Sequence, residues 1–190
     1  MSSTPLILRP LTLMPLTLIP MQAQDQESME SLLRQTFGPG RLALPAYGLR
    51  CGPPLDRLSW VARSPQGRVL GCLRFWPVRL EGGAQRAVLL GPLGVDRAYR
   101  GMGVAATLVR FGLNRATDLG FELCFVVGEP RFYSRFGFTN AAWSGIDSAV
   151  PIPPQRLQVR ELQSKALRTL SNLGRRQRLA AQENPCKTDS

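Results

Sequence analysis

An arginine and two glycines at the start of a predicted helix are spaced so that they could bind an anion. The segment "RGMGVA" begins at Arg100, and apolar residues at helical spacing follow it as far as Leu119. The first backbone N–H groups of a helix have no acceptor within the helix, and they lie at the positive end of its dipole. Glycines at Gly101 and Gly103 would let a phosphate group approach those amides closely.

The strand before this helix, "VLLGPLGV", contains residues that do not suit the middle of a sheet. Gly91, Pro92 and Gly94 weaken a strand, because proline donates no ladder hydrogen bond and glycine has no side chain to pack. They predict a bulge or splay that frees backbone groups near Leu93 and Val95, which an extended ligand with amides could bind by β-type pairing. Coenzyme A has amides at one end and phosphates at the other, and therefore matches both features.

Several of these segments together resemble the GNAT superfamily of N-acetyltransferases. "RGMGVA" matches the signature R/Q-x-x-G-x-G/A at Arg100, Gly103 and Ala105. "FYSRFGF" matches Y-x-(R/K)-x-G-F, and "FGPGR" is similar to a bacterial branch of the superfamily. The resemblance covers about residues 16–162. It implies an acetyl-CoA-dependent N-acetyltransferase that moves an acetyl group directly to a primary amine within a ternary complex.

The resemblance also assigns roles to residues. The backbone of residues 93–95 would bind the pantetheine arm, and residues 100–106 would hold the pyrophosphate. These cofactor-binding positions are Leu93, Gly94, Val95, Arg100, Gly101, Met102, Gly103, Val104, Ala105 and Ala106. Tyr133 would be the general acid that protonates the departing thiolate, which a phenol with a pKa of about 10 can do. The alternative for Tyr133 is an aromatic residue that only packs.

The general base and the acceptor site are less defined. Glu129 follows a predicted buried strand and is the first candidate for the base, although its charge could instead favour the start of the next short helix. Glu122 is a second candidate, and water could relay the proton. In the superfamily the first helix and the following loop select the substrate, which suggests Arg41, Tyr47 and Arg50.

The hydrophobic pattern predicts an α/β (α+β) fold with a mixed, mostly antiparallel central sheet and flanking helices. Strand 89–95, helix 103–119 and strand 121–127 form a βαβ unit, so the two strands should be parallel and adjacent. The other predicted elements are a strand at 16–19, a helix ending near Phe37, a short helix around 44–50, strands within 58–80, a short helix from Pro130 and a last strand at 156–162.

This domain, residues 16–162, is predicted to lie between a loosely structured leader (1–15) and a basic tail (163–190) that is peripheral to the core. Prolines at every fifth position interrupt the apolar leader, which is therefore interpreted as neither a signal peptide nor a membrane span. We expect a cytoplasmic protein that is a monomer or a homodimer and has no membrane partner.

The composition limits the other function classes. A net charge of +11 favours anionic partners. The arginines are spread along the chain and no nucleic-acid-reading motif is present, so an arginine-rich nucleic-acid-binding protein is the weakest hypothesis. The other alternative is a CoA-binding regulatory protein without turnover. Histidine is absent and the four cysteines lack CxxC spacing, so we expect no metal site, and Cys72 and Cys124 should be buried free thiols.

Overall fold

One mixed sheet with helices on both faces organises the chain, and the computed structural model describes residues 16–81, 83, 85–171 and 176–182. The predicted leader and Cys186 lie outside these ranges. The strands are β1 (Thr17–Pro20), β2 (Trp60–Arg63), β3 (Val69–Leu80), β4 (Ala87–Val95), β5 (Leu123–Val127), β6 (Thr139–Asn140), β7 (Ile146–Ser148), β8 (Leu157–Glu161) and β9 (Gln177–Ala181). The helices are α1 (Gln26–Phe37), α2 (Val104–Asp118), α3 (Pro130–Tyr133) and α4 (Ala166–Ser171).

The strands pair in the order β1-β2-β3-β4-β5-β8-β6, and β9 pairs with both β3 and β7. Pairs β4–β5 and β7–β9 are parallel, and the other pairs are antiparallel. Helix α2 makes the crossover that a parallel β4–β5 pair requires. The predicted fold class and its βαβ unit are therefore confirmed.

Two cores form on opposite faces of the sheet, because strand side chains alternate between the faces. On one face, Leu108 and Val109 of α2 pack with Leu73, Phe75 and Val88 of the strands. The other face has two clusters, which α1 and the C-terminal elements cover; their fully buried members include Met29, Leu33, Leu89, Phe125 and Leu179. No helix within the described ranges is both long and apolar enough to cross a membrane.

The C-terminal segment corrects the sequence interpretation. Residues after 162 were expected to form a peripheral tail, but β9 pairs with Val78–Leu80 of β3 and with β7. Leu179 and Leu170 are buried in the core. The physical reason is that β2 pairs only with the first half of the long strand β3, so the second half has a free edge that β9 covers. The strand predicted at 156–162 is present as β8, but it is not the last strand.

The connection from α1 to β2 is built from turns of 310 helix. The short helix expected around 44–50 is present as the 310 turn Pro45–Leu49, and another turn, Pro39–Ala43, precedes it. Each begins with proline, whose fixed φ suits the first position of a helical turn. These turns place Tyr47 and Arg50 beside the functional cleft described below.

Candidate functional site

A bulge interrupts the pairing of β4 with β3. Two residues of β4, Gly91 and Pro92, lie opposite the single β3 residue Arg74, because the register shifts at that point. Gly91 has a φ of +121°, which disfavours any residue with a side chain. The bulge is therefore located where the glycine–proline pair predicted it.

Strand β4 also separates from β5 at this bulge. Their parallel register ends at the pair Leu90–Val126, whereas β4 continues to Val95. No described strand pairs with the β5-facing edge of Leu93, Gly94 and Val95. That edge has the geometry needed to bind the amides of an extended ligand by β-type pairing.

The start of α2 exposes its backbone amides. The first intrahelical bond runs from the Thr107 N–H to the Gly103 carbonyl at 2.9 Å, so the amides of Val104, Ala105 and Ala106 have no acceptor in the helix. Gly101 and Gly103 have φ values of +80° and +84°, and nothing lies within 4 Å of where their Cβ atoms would be. The glycines thus make the turn and also leave open space beside it.

Among the residues of the loop at the start of α2, Arg100 has the side chain that could contact a bound anion. Val104 is buried in the core, and the Met102 side chain is exposed. Arg100 is exposed and takes part in none of the ion pairs found among the described residues. Backbone amides and one free guanidinium would therefore meet an anion at this site, as a pyrophosphate requires.

A cleft of about 480 Å³ opens where β4 and β5 separate. Residues from the α1–β2 connection, the bulge, the end of β5, α3 and the β7–β8 connection line it. They are Phe37, Leu44, Pro45, Ala46, Tyr47, Arg50, Leu90, Gly91, Pro92, Leu93, Val127, Gly128, Glu129, Tyr133, Ile152, Pro153 and Arg156. The cleft thus brings together Tyr133, Glu129, Tyr47, Arg50 and Leu93 from the predicted set.

Tyr133 ends helix α3 and is only 8% exposed. Its ring packs edge-on against Phe132 and Phe138, with centroids 4.9 and 5.7 Å away. Burial raises the pKa of the Tyr133 phenol, while the nearby positive charge of Arg50 lowers it in part. The phenol is therefore held in its protonated form, as a general acid requires.

Gly128 makes room for the Tyr133 ring, a requirement that the sequence interpretation missed. A Cβ atom at residue 128 would lie 2.3 Å from Cε2 of Tyr133, which is far too close. The signal in the sequence was a glycine directly after the apolar run "FVV" of β5. Gly128 therefore positions Tyr133 at the end of β5, where the strands separate.

Arg50 brings a charged side chain next to the bulge from the α1–β2 connection. Its Nη2 atom lies 3.1 Å from where a Cβ atom on Gly91 would be. Its guanidinium stacks on Tyr47, 4.2 Å from the ring centroid, and lies 5.5 Å from that of Trp76. Burial lowers the pKa of Arg50. Trp76 was not among the predicted site residues, and it contacts Arg50 without lining the cleft.

Arg41 has a different environment from the other two residues proposed for the acceptor site. It is buried, forms an ion pair with Glu30 of α1, and donates a hydrogen bond from Nη1 to the Tyr47 hydroxyl at 2.8 Å. It does not line the cleft. Arg41 therefore ties the α1–β2 connection to α1 and supports Tyr47 indirectly.

The two candidate bases lie at opposite ends of β5. The Glu122 carboxylate accepts a hydrogen bond from the Arg86 N–H at 2.9 Å, before the strand begins. Glu122 does not line the cleft, so its position does not support a role as the base. Glu129 follows β5, lines the cleft and lies 3.5 Å from Arg156, with a largely exposed side chain. It makes no capping hydrogen bond to α3.

Three of the four cysteines lie in the described part of the chain. Cys72 and Cys124 are free and buried, as predicted. Burial raises the pKa of the Cys72 thiol to about 12, which keeps it protonated and unreactive. In the ranges that the structure covers, no three histidine, cysteine, aspartate or glutamate residues come together as metal ligands.

Comparisons with known proteins agree with this geometry. Residues 56–140 match the family model described as an acetyltransferase (GNAT) domain. The chain is 34% identical over 149 residues to YhbS of Escherichia coli K12, an uncharacterized N-acetyltransferase, covering 78% of this chain and 89% of YhbS. It is 30% identical over 120 residues to a second uncharacterized N-acetyltransferase of that strain, YjhQ, covering 62% of this chain and 66% of YjhQ.

Solved structures show the same fold. The crystal structure of E. coli YhbS in complex with CoA superposes with a TM-score of 0.71 at 28% identity, covering 88% of this chain and 89% of that one. A GNAT family acetyltransferase from Brucella melitensis in complex with acetyl-CoA has a TM-score of 0.58 at 23% identity, covering 79% and 90%. The chain belongs to the GNAT family of N-acetyltransferases.

Proposed function

We propose that the protein transfers an acetyl group from acetyl-CoA to a primary amine. The observation that carries the proposal is the splay between β4 and β5, which opens a cleft lined by a buried, protonated tyrosine. The free edge of residues 93–95 would bind the pantetheine arm, and the amides at the start of α2 with Arg100 would bind the pyrophosphate. Relatives with CoA or acetyl-CoA bound support this choice of co-substrate.

The proposed reaction is direct transfer in a ternary complex. The neutral amine attacks the thioester carbonyl, a C–N bond forms and the C–S bond breaks. Tyr133 donates its proton to the departing thiolate and regains one from solvent. The proton lost by the amine leaves through water towards Glu129, the acidic residue in the cleft lining.

The acceptor in this proposal is an amine-bearing small molecule or protein side chain, not a nucleic acid. The buried free thiols fit a reducing compartment, so we assign the reaction to the cytoplasm. Monomer and homodimer are both compatible with a cleft formed by one chain.

Release of free thiol from acetyl-CoA, measured against a panel of primary amines, tests the proposal. We expect amine-dependent thiol release and an acetylated amine in the product, identified by mass spectrometry. Native mass spectrometry of the purified protein should also show bound CoA. CoA binding without amine-dependent turnover would instead identify the CoA-binding regulatory protein. If the protein neither binds CoA nor releases thiol, both the transferase and the regulatory hypothesis are wrong.

A further inference from the structure

The charge balance of the cleft is uneven. Arg156 at its mouth is paired with Glu129, and the buried Arg41 outside the cleft is paired with Glu30. Arg50 forms no ion pair with a carboxylate among the described residues, and its Nε and Nη1 atoms are buried without a hydrogen-bond partner there. Among the described residues, the cleft therefore contains one half-buried guanidinium, with its Nε and Nη1 atoms fully buried, that has no carboxylate counter-ion.

An unpaired guanidinium that is partly removed from water lowers the stability of the folded protein unless a ligand pairs with it. A buried charge is normally paired, because taking it out of water is unfavourable. The stacking on Tyr47 and Trp76 offsets part of this cost but supplies no negative charge. A ligand with an anionic group would supply it.

The position of Arg50 limits which part of a ligand it can contact. The cleft lining includes Arg50 and the bulge but none of residues 100–106 at the α2 start. Arg50 is therefore not placed to bind the pyrophosphate. It lies beside Gly91 and lines the same cleft as Tyr133, so an anionic group bound by Arg50 would lie close to the place proposed for the acyl group.

We propose that the acetyl acceptor is an amino acid whose carboxylate is bound by Arg50 while its amine faces the acyl group at the bulge. This inference rests on the proposed acetyl transfer. A carboxylate one or two carbons from the amine has the short separation that the geometry requires, and its planar oxygens suit a guanidinium. Apolar residues of the cleft lining, including Phe37, Leu44 and Ile152, favour an apolar amino acid side chain.

Leucine and leucinamide, which differ in the charge of the carboxyl group, provide the kinetic test. We expect Arg50→Gln to lower kcat/KM for leucine by about 10- to 100-fold, the effect of losing a charge-assisted hydrogen bond, and to change the value for leucinamide much less. The ratio of the two effects cancels the difference in amine basicity, as in a double-mutant cycle. Arg50→Lys should keep part of the preference. The exposed Arg79, outside the cleft, gives the matched control Arg79→Gln, which should behave like the parent.

An equal loss with both acceptors would mean that Arg50 acts on the thioester rather than on a carboxylate, and would overturn the inference. An unchanged leucine preference in Arg50→Gln would overturn it as well. Retained affinity for CoA in each variant shows that the protein is folded.

A binding measurement separates this inference from the proposed reaction. Calorimetry with CoA-loaded protein should show binding of N-acetylleucine that Arg50→Gln weakens, and weaker binding of N-acetylleucinamide. If N-acetylleucine binds in this way but no amine is acetylated, the carboxylate site stands and the transfer reaction is wrong. If amines are acetylated but N-acetylleucine and its amide bind equally, the transfer reaction stands and the carboxylate site is wrong.

Discussion

Burial of the Tyr133 side chain keeps its phenol protonated. A phenol in water loses its proton near pH 10, whereas burial raises the pKa of Tyr133 above that value. An acid with a raised pKa remains protonated as the pH increases. A packing role and an acid role could not be separated in the sequence, because a tyrosine among Phe132, Phe136 and Phe138 can serve either.

Replacing Tyr133 with phenylalanine separates these two roles. Tyr133→Phe keeps the ring and its contacts but removes the proton, so we expect a melting temperature and CoA affinity close to those of the parent. Steady-state kcat with acetyl-CoA should fall by roughly 10²-fold, the low end for one positioned proton donor. The loss should be smaller with an acyl donor whose thiol is more acidic, because that thiolate needs less protonation.

The pH profile and a second variant check this assignment. With a raised pKa, the parent should show no loss of rate from tyrosine ionisation at pH 10, where an ordinary phenol is half ionised. Gly128→Ala would place a methyl group against the Tyr133 ring and should also lower kcat by displacing the acid. Full turnover in Tyr133→Phe would leave Tyr133 as a core residue only.

At the scale of elements, β9 shows what local sequence patterns leave out. Its sequence, QRLAA, is short and has a single large apolar side chain, Leu179, so it carries no clear strand pattern of its own. The reason for its position lies about a hundred residues earlier, in the unpaired edge of β3. A pairing partner so distant in sequence cannot be inferred from composition near residue 179.

Truncating the central side chain of β9 tests its contribution to the core. Leu179 is fully buried, so Leu179→Ala should lower the free energy of unfolding by about 2–5 kcal/mol, as for other buried leucines. Chemical denaturation measures this value. The neighbouring Arg178→Ala changes an exposed side chain on the same strand and should alter stability by less than about 0.5 kcal/mol. Equal stability of the two variants would show that β9 is peripheral, as the sequence suggested.

The elements around the site were predicted more accurately for a physical reason. Strand β4, helix α2 and strand β5 are consecutive, and glycines with positive φ mark local features of them: Gly91 forms the bulge inside β4, and Gly103 precedes the first residue of α2. The cleft depends instead on contacts between distant segments. Arg50 was a candidate only because the loop containing it follows the first helix, whereas its contact with Gly91 and its missing counter-ion required the folded chain.

For the whole molecule, the net charge of +11 means that anions could bind either to a specific site or to the basic surface in general. A strongly basic protein attracts every polyanion through a field that salt screens, with a Debye length of about 8 Å at physiological ionic strength. Several arginines, including Arg63, Arg68 and Arg115, are paired with carboxylates and contribute less to that field. A shaped site that combines backbone amides with Arg100 should depend on salt less than a diffuse charge does.

Thermal unfolding with acetyl-CoA or a single-stranded oligonucleotide separates the specific site from the general charge. Acetyl-CoA at 100 times its dissociation constant should stabilise the fold by about 2.7 kcal/mol, which for a protein of this size is a rise in Tm of roughly 5–10 °C. At 200 mM salt this rise should persist at saturating acetyl-CoA, whereas any stabilisation by the oligonucleotide should largely disappear, because non-specific affinity for nucleic acid falls steeply with salt. Arg100→Gln should weaken acetyl-CoA binding, while Arg79→Gln removes the same charge from an exposed position outside the loop and should not. A salt-resistant rise in Tm with the oligonucleotide, and none with acetyl-CoA, would make the basic surface the functional site and the α2 start a simple turn.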